Sequence, residues 1–114
     1  MPANEARELQ DKLALLGLAP EHVVANQIYP DRFPSSAPAG KVLTALAGAA
    51  EPLASLHAHG DLARSRRALN EHYLAQLSAS IRAPLTELPL LFTPRLAPEH
   101  IETLSKKLES AWAP

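Results

Sequence analysis

The segment Asp61–Arg82 contains neither proline nor glycine, and no other segment of the chain that lacks both is as long. Its apolar residues recur at intervals of seven and four positions, which places them on one face of an α-helix. These residues are Leu62, Leu69, Tyr73, Leu77 and Ile81. Gly60 precedes the segment and Pro84 follows it, so the pattern predicts a helix from Asp61 to Arg82. We expect the Asp61 carboxylate to stabilise the positive end of the helix dipole.

The composition sets the class of protein. With 114 residues and 46% hydrophobic residues, the chain is one globular domain or part of one. Its 11 basic and 12 acidic residues leave a formal charge of −1, which gives no electrostatic basis for binding nucleic acid or an anionic membrane. The absence of cysteine excludes disulfides, thiolate metal ligands and cysteine nucleophiles. The N-terminus has no apolar secretory signal, and no apolar run approaches the roughly 20 residues of a membrane span, so we expect a cytoplasmic protein.

The first third of the chain predicts a helix, a strand and a loop. Asn4 is a suitable cap for a helix that runs to about Leu16, and Gly17 is a typical C-terminal stop. The β-branched start and the length of His22–Ile28 favour a short strand buried on both faces. Pro30–Pro38 is irregular by composition.

The second third is helical. Ala39–His59 has helical periodicity, and Pro52 together with Gly48 is expected to divide or kink it. The helix at Asp61–Arg82 follows.

The last third predicts a strand and a closing helix. Leu85–Phe92 reads as a strand in which Pro89 indicates an edge position or the strand end. Pro98 at a first helical position opens the final helix, and Trp112 is interpreted as a core anchor.

The element order therefore predicts a helix-rich α/β fold. Two strands that are joined through helices should be parallel. A sheet of only two strands is marginal by itself, so other sequence or another chain is expected to complete it.

With the elements placed, the chain resembles the C-terminal part of the arsenite-pump (ArsA) and tail-anchored-protein-targeting ATPase family. The resemblance covers nearly the whole chain and lies in the order and spacing of five segments. These are Glu8–Leu18, Val23–Gln27, Gly60–Leu74, Leu88–Leu91 and Glu99–Leu108.

The resemblance implies a fragment of a P-loop NTPase-like sheet, from an ATPase in which ATP drives closure of a dimer. Asn26 matches the asparagine that hydrogen-bonds adenine, while Pro89 and Leu90 match the segment that walls the base. A carboxamide suits this role because it offers a donor and an acceptor together. ATP or ADP with Mg would be bound only if a P-loop half, in cis or in trans, completes the site. Self-association is the other way of completing the sheet.

Two departures from the family limit what the chain does alone. Gly60 and Ala63 stand where zinc-binding members have a Cys-x-x-Cys pair, so no zinc is expected. Ala39–Val42 is the nearest approach to a phosphate-binding loop, but it lacks the first glycine, the Ser/Thr for magnesium and a preceding strand. We therefore expect no catalytic residue here and no ATP hydrolysis by the isolated chain.

Arg64, Arg66 and Arg67 allow two interpretations. They are either a solvated helix face or a surface that binds a partner. Three charges near a helix start are common, which favours the solvated face. Their position at the positive end of the helix dipole gives some weight to an anionic partner such as an acidic side chain.

Other candidate sites have weaker support. His57 and His59 are two positions apart and do not share a helix face, so a metal site with His72 or Asp61 is not expected. Ser35 and Ser36 have no nucleophile-elbow context for hydrolase chemistry.

Two functions remain open at this point. The first is the adenine-side and dimer-surface portion of an anion-transporting or targeting ATPase. The alternative is a non-enzymatic helical module for oligomerisation, in which Asn26 is only a capping or turn residue.

Overall fold

The structure, a computed structural model, describes residues 2–112, with only the backbone of Pro2. It is mixed α/β, as predicted, and its two strands are parallel. The elements are α1 (Pro2–Leu15), β1 (Val23–Ile28), α2 (Pro38–Ala45), α3 (Leu53–Ser80), β2 (Leu85–Pro89) and α4 (Pro98–Trp112). The chain divides into two units. Unit 1 contains the chain up to Ile28 and from His72 onward, and unit 2 is Tyr29–Glu71.

The sheet of unit 1 is formed by β1 and β2 alone within the described residues. The prediction that β1 is buried on both faces is wrong, because the Val24 side chain is 38% exposed. The sheet contributes Ile28 and Leu88 to the small set of buried apolar residues. β2 ends at Pro89, which confirms the interpretation of that proline as a strand end.

Both ends of α1 show how local chemistry sets helix limits. The helix begins before Asn4, so the prediction of Asn4 as its cap is wrong. Gly17 is the C-terminal stop, as predicted, and its φ is 73°. The Gly17 N–H donates to the Ala14 carbonyl and the Leu18 N–H to the Leu13 carbonyl, both at 3.0 Å. This bond pair is the Schellman motif, which needs a left-handed residue and so favours glycine.

The long helix α3 has 28 residues and passes through Gly60 without a break. The prediction that it begins at Asp61 is therefore wrong, as is the expected dipole interaction of Asp61. Gly60 is buried, and a Cβ there would overlap the Cδ1 atom of Leu43 on α2 and lie 3.1 Å from Cδ2. The glycine is present because α2 and α3 pack closely, not because the helix ends.

The C-terminal end of α3 is capped by a side chain of α1. The Gln10 carboxamide donates to the Ser80 carbonyl at 3.1 Å and accepts from the Arg82 N–H at 3.0 Å. Because the last carbonyls of a helix lack intrahelical partners, this contact satisfies one of them. The helix ends at Ser80, two residues before the predicted end.

The apolar stripe predicted for α3 is only partly correct. Leu77 is buried in unit 1, whereas Leu62 and Leu69 are 50% and 53% exposed. In unit 2 the less exposed face of α3 carries small and polar residues. These are Gly60, Ala63, Arg64, Arg67 and Asn70.

Of the remaining predictions for the loop and the helices, some are confirmed and others are wrong. Residues 30–37 are irregular chain, as predicted, but α2 begins at Pro38, so the loop ends one residue before its predicted end. The predicted division of Ala39–His59 near Gly48 is confirmed. Pro98 opens α4, also as predicted. Trp112 is 56% exposed and is not a core anchor. No helix within residues 2–112 has both the length and the apolar character needed to cross a bilayer.

Candidate functional site

The carboxyl end of the β1–β2 pair contains a β-bulge. Ala25 pairs with Glu87 and Ile28 pairs with Pro89, so Asn26 and Gln27 together face the single residue between Glu87 and Pro89. Gln27 has φ 58°, in the left-handed region. This conformation costs an ordinary residue about 1–2 kcal/mol and persists only where the surroundings hold it. Bulges re-aim side chains, and here the bulge sets the position of Asn26.

Asn26 is exposed, and part of its carboxamide is engaged locally. Its Oδ1 accepts a hydrogen bond from the Gln27 N–H at 2.8 Å. A carboxamide oxygen has two lone pairs and its nitrogen has two hydrogens. One acceptor site on the oxygen and the amino group therefore remain for a ligand, since no described residue is hydrogen-bonded to that amino group.

Pro89 and Leu90 lie at the same end of the sheet as Asn26. Both are half-buried, and the Leu90 N–H donates to the Ile28 carbonyl at 2.8 Å. This bond keeps the chain after β2 alongside the end of β1. The structure thus brings the three predicted adenine-site residues to the carboxyl end of two parallel strands, where open α/β sheets bind ligands.

The arginines of the predicted partner-binding set lie in unit 2, in the interior of α3. Arg64 is about three turns inside the helix. The dipole argument for an anionic partner is therefore wrong, because it required the arginines to lie near the helix start.

Arg64 links α3 to α2 and to the preceding loop. Its guanidinium donates to the Gly40 carbonyl at 2.9 Å, the Thr44 hydroxyl at 3.3 Å and the Phe33 carbonyl at 3.4 Å. Its Nε atom is buried without a hydrogen-bond partner among the described residues. This pattern gives Arg64 a structural role within unit 2.

Arg67 and Asn70 hold the backbone of Tyr29. The Tyr29 N–H donates to the Asn70 Oδ1 at 2.7 Å, and the Tyr29 carbonyl accepts from Arg67 at 3.1 Å. Arg67 also forms an ion pair with Glu71 at 2.9 Å. The Arg66 guanidinium lies 5.4 Å from the centroid of the Tyr29 ring, within cation–π range. Asn70 and Tyr29 are not among the residues predicted from the sequence, although Arg64, Arg67 and Asn70 recur every three residues on one helix face.

An apolar groove of about 490 Å³ lies between α2 and the first half of α3 in unit 2. Most of its walls are aliphatic or small, and Gly60 and Ala63 are among them. The lining residues are Arg32, Phe33, Ala39, Val42, Leu43, Leu46, Leu56, His59, Gly60 and Ala63.

The histidines considered as metal ligands do not form a site. The Nδ1 atom of His59 lies 2.7 Å from the Ser55 carbonyl of its own helix. Within residues 2–112 no group of three or more histidine, aspartate or glutamate side chains is placed to hold a metal ion.

Comparisons of the chain with protein-family models, with curated proteins and with solved structures find no match. The family resemblance therefore rests on the sequence segments described above.

Proposed function

We propose that this chain is the adenine-side portion of an ArsA-like ATPase, belonging to a P-loop NTPase-like sheet. The observation that carries the proposal is the bulge at the carboxyl end of β1. It holds Asn26 exposed at the same end of the sheet as Pro89 and Leu90. A non-glycine residue held at positive φ beside a polar side chain is typical of binding sites.

In this proposal the carboxamide of Asn26 reads the edge of adenine. Its remaining acceptor site takes a hydrogen from the exocyclic amino group, and its amino group donates to a ring nitrogen. Pro89 and Leu90 provide apolar contact with the base. ATP or ADP with Mg is bound when a P-loop half, in cis or in trans, supplies the phosphate-binding loop. The phosphoryl chemistry belongs to that half, so this chain alone contributes base recognition.

The proposed partner surface is centred on Arg66. Arg64 and Arg67 donate to backbone carbonyls of unit 2, whereas the exposed Arg66 lies over the Tyr29 ring. In the assembled ATPase the three arginines then have different roles. Arg66 contacts the P-loop half, while Arg64 and Arg67 hold the backbone of the segment before α2 and of its first turn. A cytoplasmic location and an anion or protein cargo are parts of the same proposal.

The proposal is tested by titrating the isolated chain with adenosine and following amide signals by NMR. Adenine has roughly ten heavy atoms. A binding free energy of about −0.3 kcal/mol per heavy atom gives about −3 kcal/mol in total, so we expect a Kd in the low millimolar range. Adenosine should shift the side-chain amide signals of Asn26 and the backbone signal of Leu90. Guanosine should not, because it presents an acceptor where adenine presents its amino group.

Two variants sharpen this test. Asn26→Asp keeps the shape and the acceptor but removes both amide hydrogens, and it should abolish the shifts at Leu90. Asn4→Ala, at an exposed asparagine of α1, serves as the matched control and should change nothing. Shifts that spread over unit 2, or that survive in Asn26→Asp, would show that the base binds elsewhere.

The second candidate, an oligomerisation module, is favoured by the exposed apolar end of α1. Leu15, Leu16 and Leu18 are 87%, 74% and 56% exposed. Adjacent exposed leucines are unusual on a monomer and indicate a contact surface. This candidate predicts an oligomer whose mass, measured by light scattering, does not depend on nucleotide, and a Leu16→Glu substitution should dissociate it.

A further inference from the structure

The two edges of the β1–β2 sheet differ in their backbone chemistry. The Val23 N–H donates to the Pro84 carbonyl at 2.9 Å, so the backbone of Val23 faces β2. Successive residues of a strand face opposite edges, so the N–H and carbonyl of Val24 point away from β2. No described element pairs with this outer edge of β1.

The outer edge of β2 is set by the same alternation. Pro84 and Leu90 bond to β1, so the residues between them that face away are Leu85, Glu87 and Pro89. This edge carries a charged side chain and a proline that has no N–H. Charges and prolines are the devices that keep an edge strand from pairing with another chain.

The outer edge of β1 carries neither a charged side chain nor a proline before the bulge. Val23, Val24 and Ala25 are uncharged and apolar, and none of them is proline. The bulge at Asn26 and Gln27 limits the free edge to this first part of the strand. The unprotected edge of the sheet is therefore short and lies at Val24.

We propose that the outer edge of β1 pairs with the same edge of a second copy of this chain. A two-fold axis at Val24 sets the two strands antiparallel, and each Val24 then donates its N–H to the carbonyl of the other. The occupant is a second copy because this pairing is self-complementary in hydrogen bonds and in apolar side chains. The equivalent pairing of two β2 edges about Glu87 would place like charges opposite each other, which is destabilising.

The resulting sheet has four strands and so is no longer the two-stranded arrangement that is marginal by itself. The 38% exposed side chain of Val24 would be covered by its counterpart. This inference concerns the isolated chain and does not use the carboxamide of Asn26. A P-loop half that continues the sheet would need the same outer edge of β1, so in an assembled ATPase it would replace the second copy.

The test compares two proline substitutions that remove outward N–H groups from opposite edges. Val24→Pro removes the donor on β1, and Glu87→Pro removes the donor on β2. Neither substitution interrupts the bonds between β1 and β2. The residue before each new proline already lies in a strand, which is the extended conformation that this position requires. Sedimentation equilibrium of the isolated protein between about 1 µM and about 1 mM measures the dimer Kd for each.

We expect the unsubstituted protein to dimerise in this range and Glu87→Pro to leave its Kd unchanged. Val24→Pro removes two intermolecular hydrogen bonds and should raise the Kd about 10- to 100-fold. Because proline can also disturb folding, Val24→Lys is the second variant. It keeps the N–H but places two charges opposite each other, so its Kd should rise and should fall again with added salt.

Circular dichroism that matches the unsubstituted protein establishes that each variant is folded. A protein that stays monomeric up to about 1 mM overturns the proposal. It is also overturned if Glu87→Pro weakens the dimer as much as Val24→Pro, or if Val24→Lys leaves the Kd unchanged.

Discussion

Gly40 is the residue of unit 2 at which a single methyl group should have the largest effect. A Cβ at this position would overlap the carbonyl oxygen of Pro34, and it would lie 2.6 Å from the Pro34 carbonyl carbon and 2.9 Å from the Phe33 oxygen. These neighbours are backbone atoms, which cannot turn aside as a side chain does. Gly40→Ala therefore forces the loop away from the first turn of α2.

The size of the effect follows from one stabilising and two destabilising contributions. Replacing glycine by alanine within a helix gains about 1 kcal/mol of helix propensity. Overpacking against fixed atoms costs about 1–3 kcal/mol. The displaced loop also loosens the Arg64 bonds to the Gly40 and Phe33 carbonyls, and hydrogen bonds to a charged group contribute about 1.5–3 kcal/mol. We expect Gly40→Ala to destabilise unit 2 by about 2 kcal/mol.

Hydrogen exchange of the α2 amides measures this loss within unit 2 alone. A destabilisation of about 2 kcal/mol corresponds to roughly 30-fold faster exchange. Gly60→Ala is the matched control, because its new Cβ meets side-chain atoms of Leu43 and no backbone atom of the neighbouring segments, and a side chain can adjust where backbone cannot. It should change exchange by less than about fivefold, a difference of about 1 kcal/mol. Unchanged or slower exchange in Gly40→Ala, or a larger effect of Gly60→Ala, would refute the reasoning.

Two further substitutions test the backbone of the bulge and the arginine contacts. Gln27→Gly removes the side chain from a residue at φ 58°, a conformation that glycine adopts without strain. It should raise the free energy of unfolding of unit 1, measured by urea denaturation, by up to about 1 kcal/mol. A clear loss of stability would contradict the strain at this position. Arg64→Met keeps the apolar stem but removes the three hydrogen bonds that Arg64 donates, although the Gly40 carbonyl still accepts from the Thr44 hydroxyl. Unit 2 should therefore lose about 2 kcal/mol by hydrogen exchange, with Arg66→Met unchanged as the control.

The sequence predicts most elements because their signals are local. The parallel strand pair, the stop at Gly17, the start at Pro98 and the strand end at Pro89 all depend on the conformational limits of glycine and proline or on short apolar runs. Each of these signals acts within a few residues of the position that it determines.

The failures at Gly60, Gln27 and Arg64 have a different cause, which is contact with residues distant in sequence. Gly60 resembles a helix break in the sequence, but it is selected by the Leu43 side chain of another helix. Gln27 occupies a left-handed conformation that no local pattern indicates, because the bulge depends on pairing with β2. Arg64 was considered for partner binding, yet its hydrogen bonds reach 20 to 31 residues back along the chain.

The candidate site was predicted only in part for the same reason. The family resemblance predicts a site at Asn26 and Pro89, and these two residues lie at one end of the sheet. The bond from the Gln27 N–H to the Asn26 oxygen was not foreseen, because it requires the positive φ of Gln27.

The division of the chain into one continuous and one split unit has a consequence for its synthesis. Unit 2 is a single run of sequence, so it can begin to fold on the ribosome as soon as residue 71 has emerged. Unit 1 cannot fold at that point, because Ser80 and Arg82, the hydrogen-bond partners of the Gln10 carboxamide, and β2, the partner strand of β1, are translated later. The first helix and strand are therefore translated before unit 2 but find their partners only after unit 2 has been translated, so we expect nascent-chain chaperones to protect them longer than unit 2.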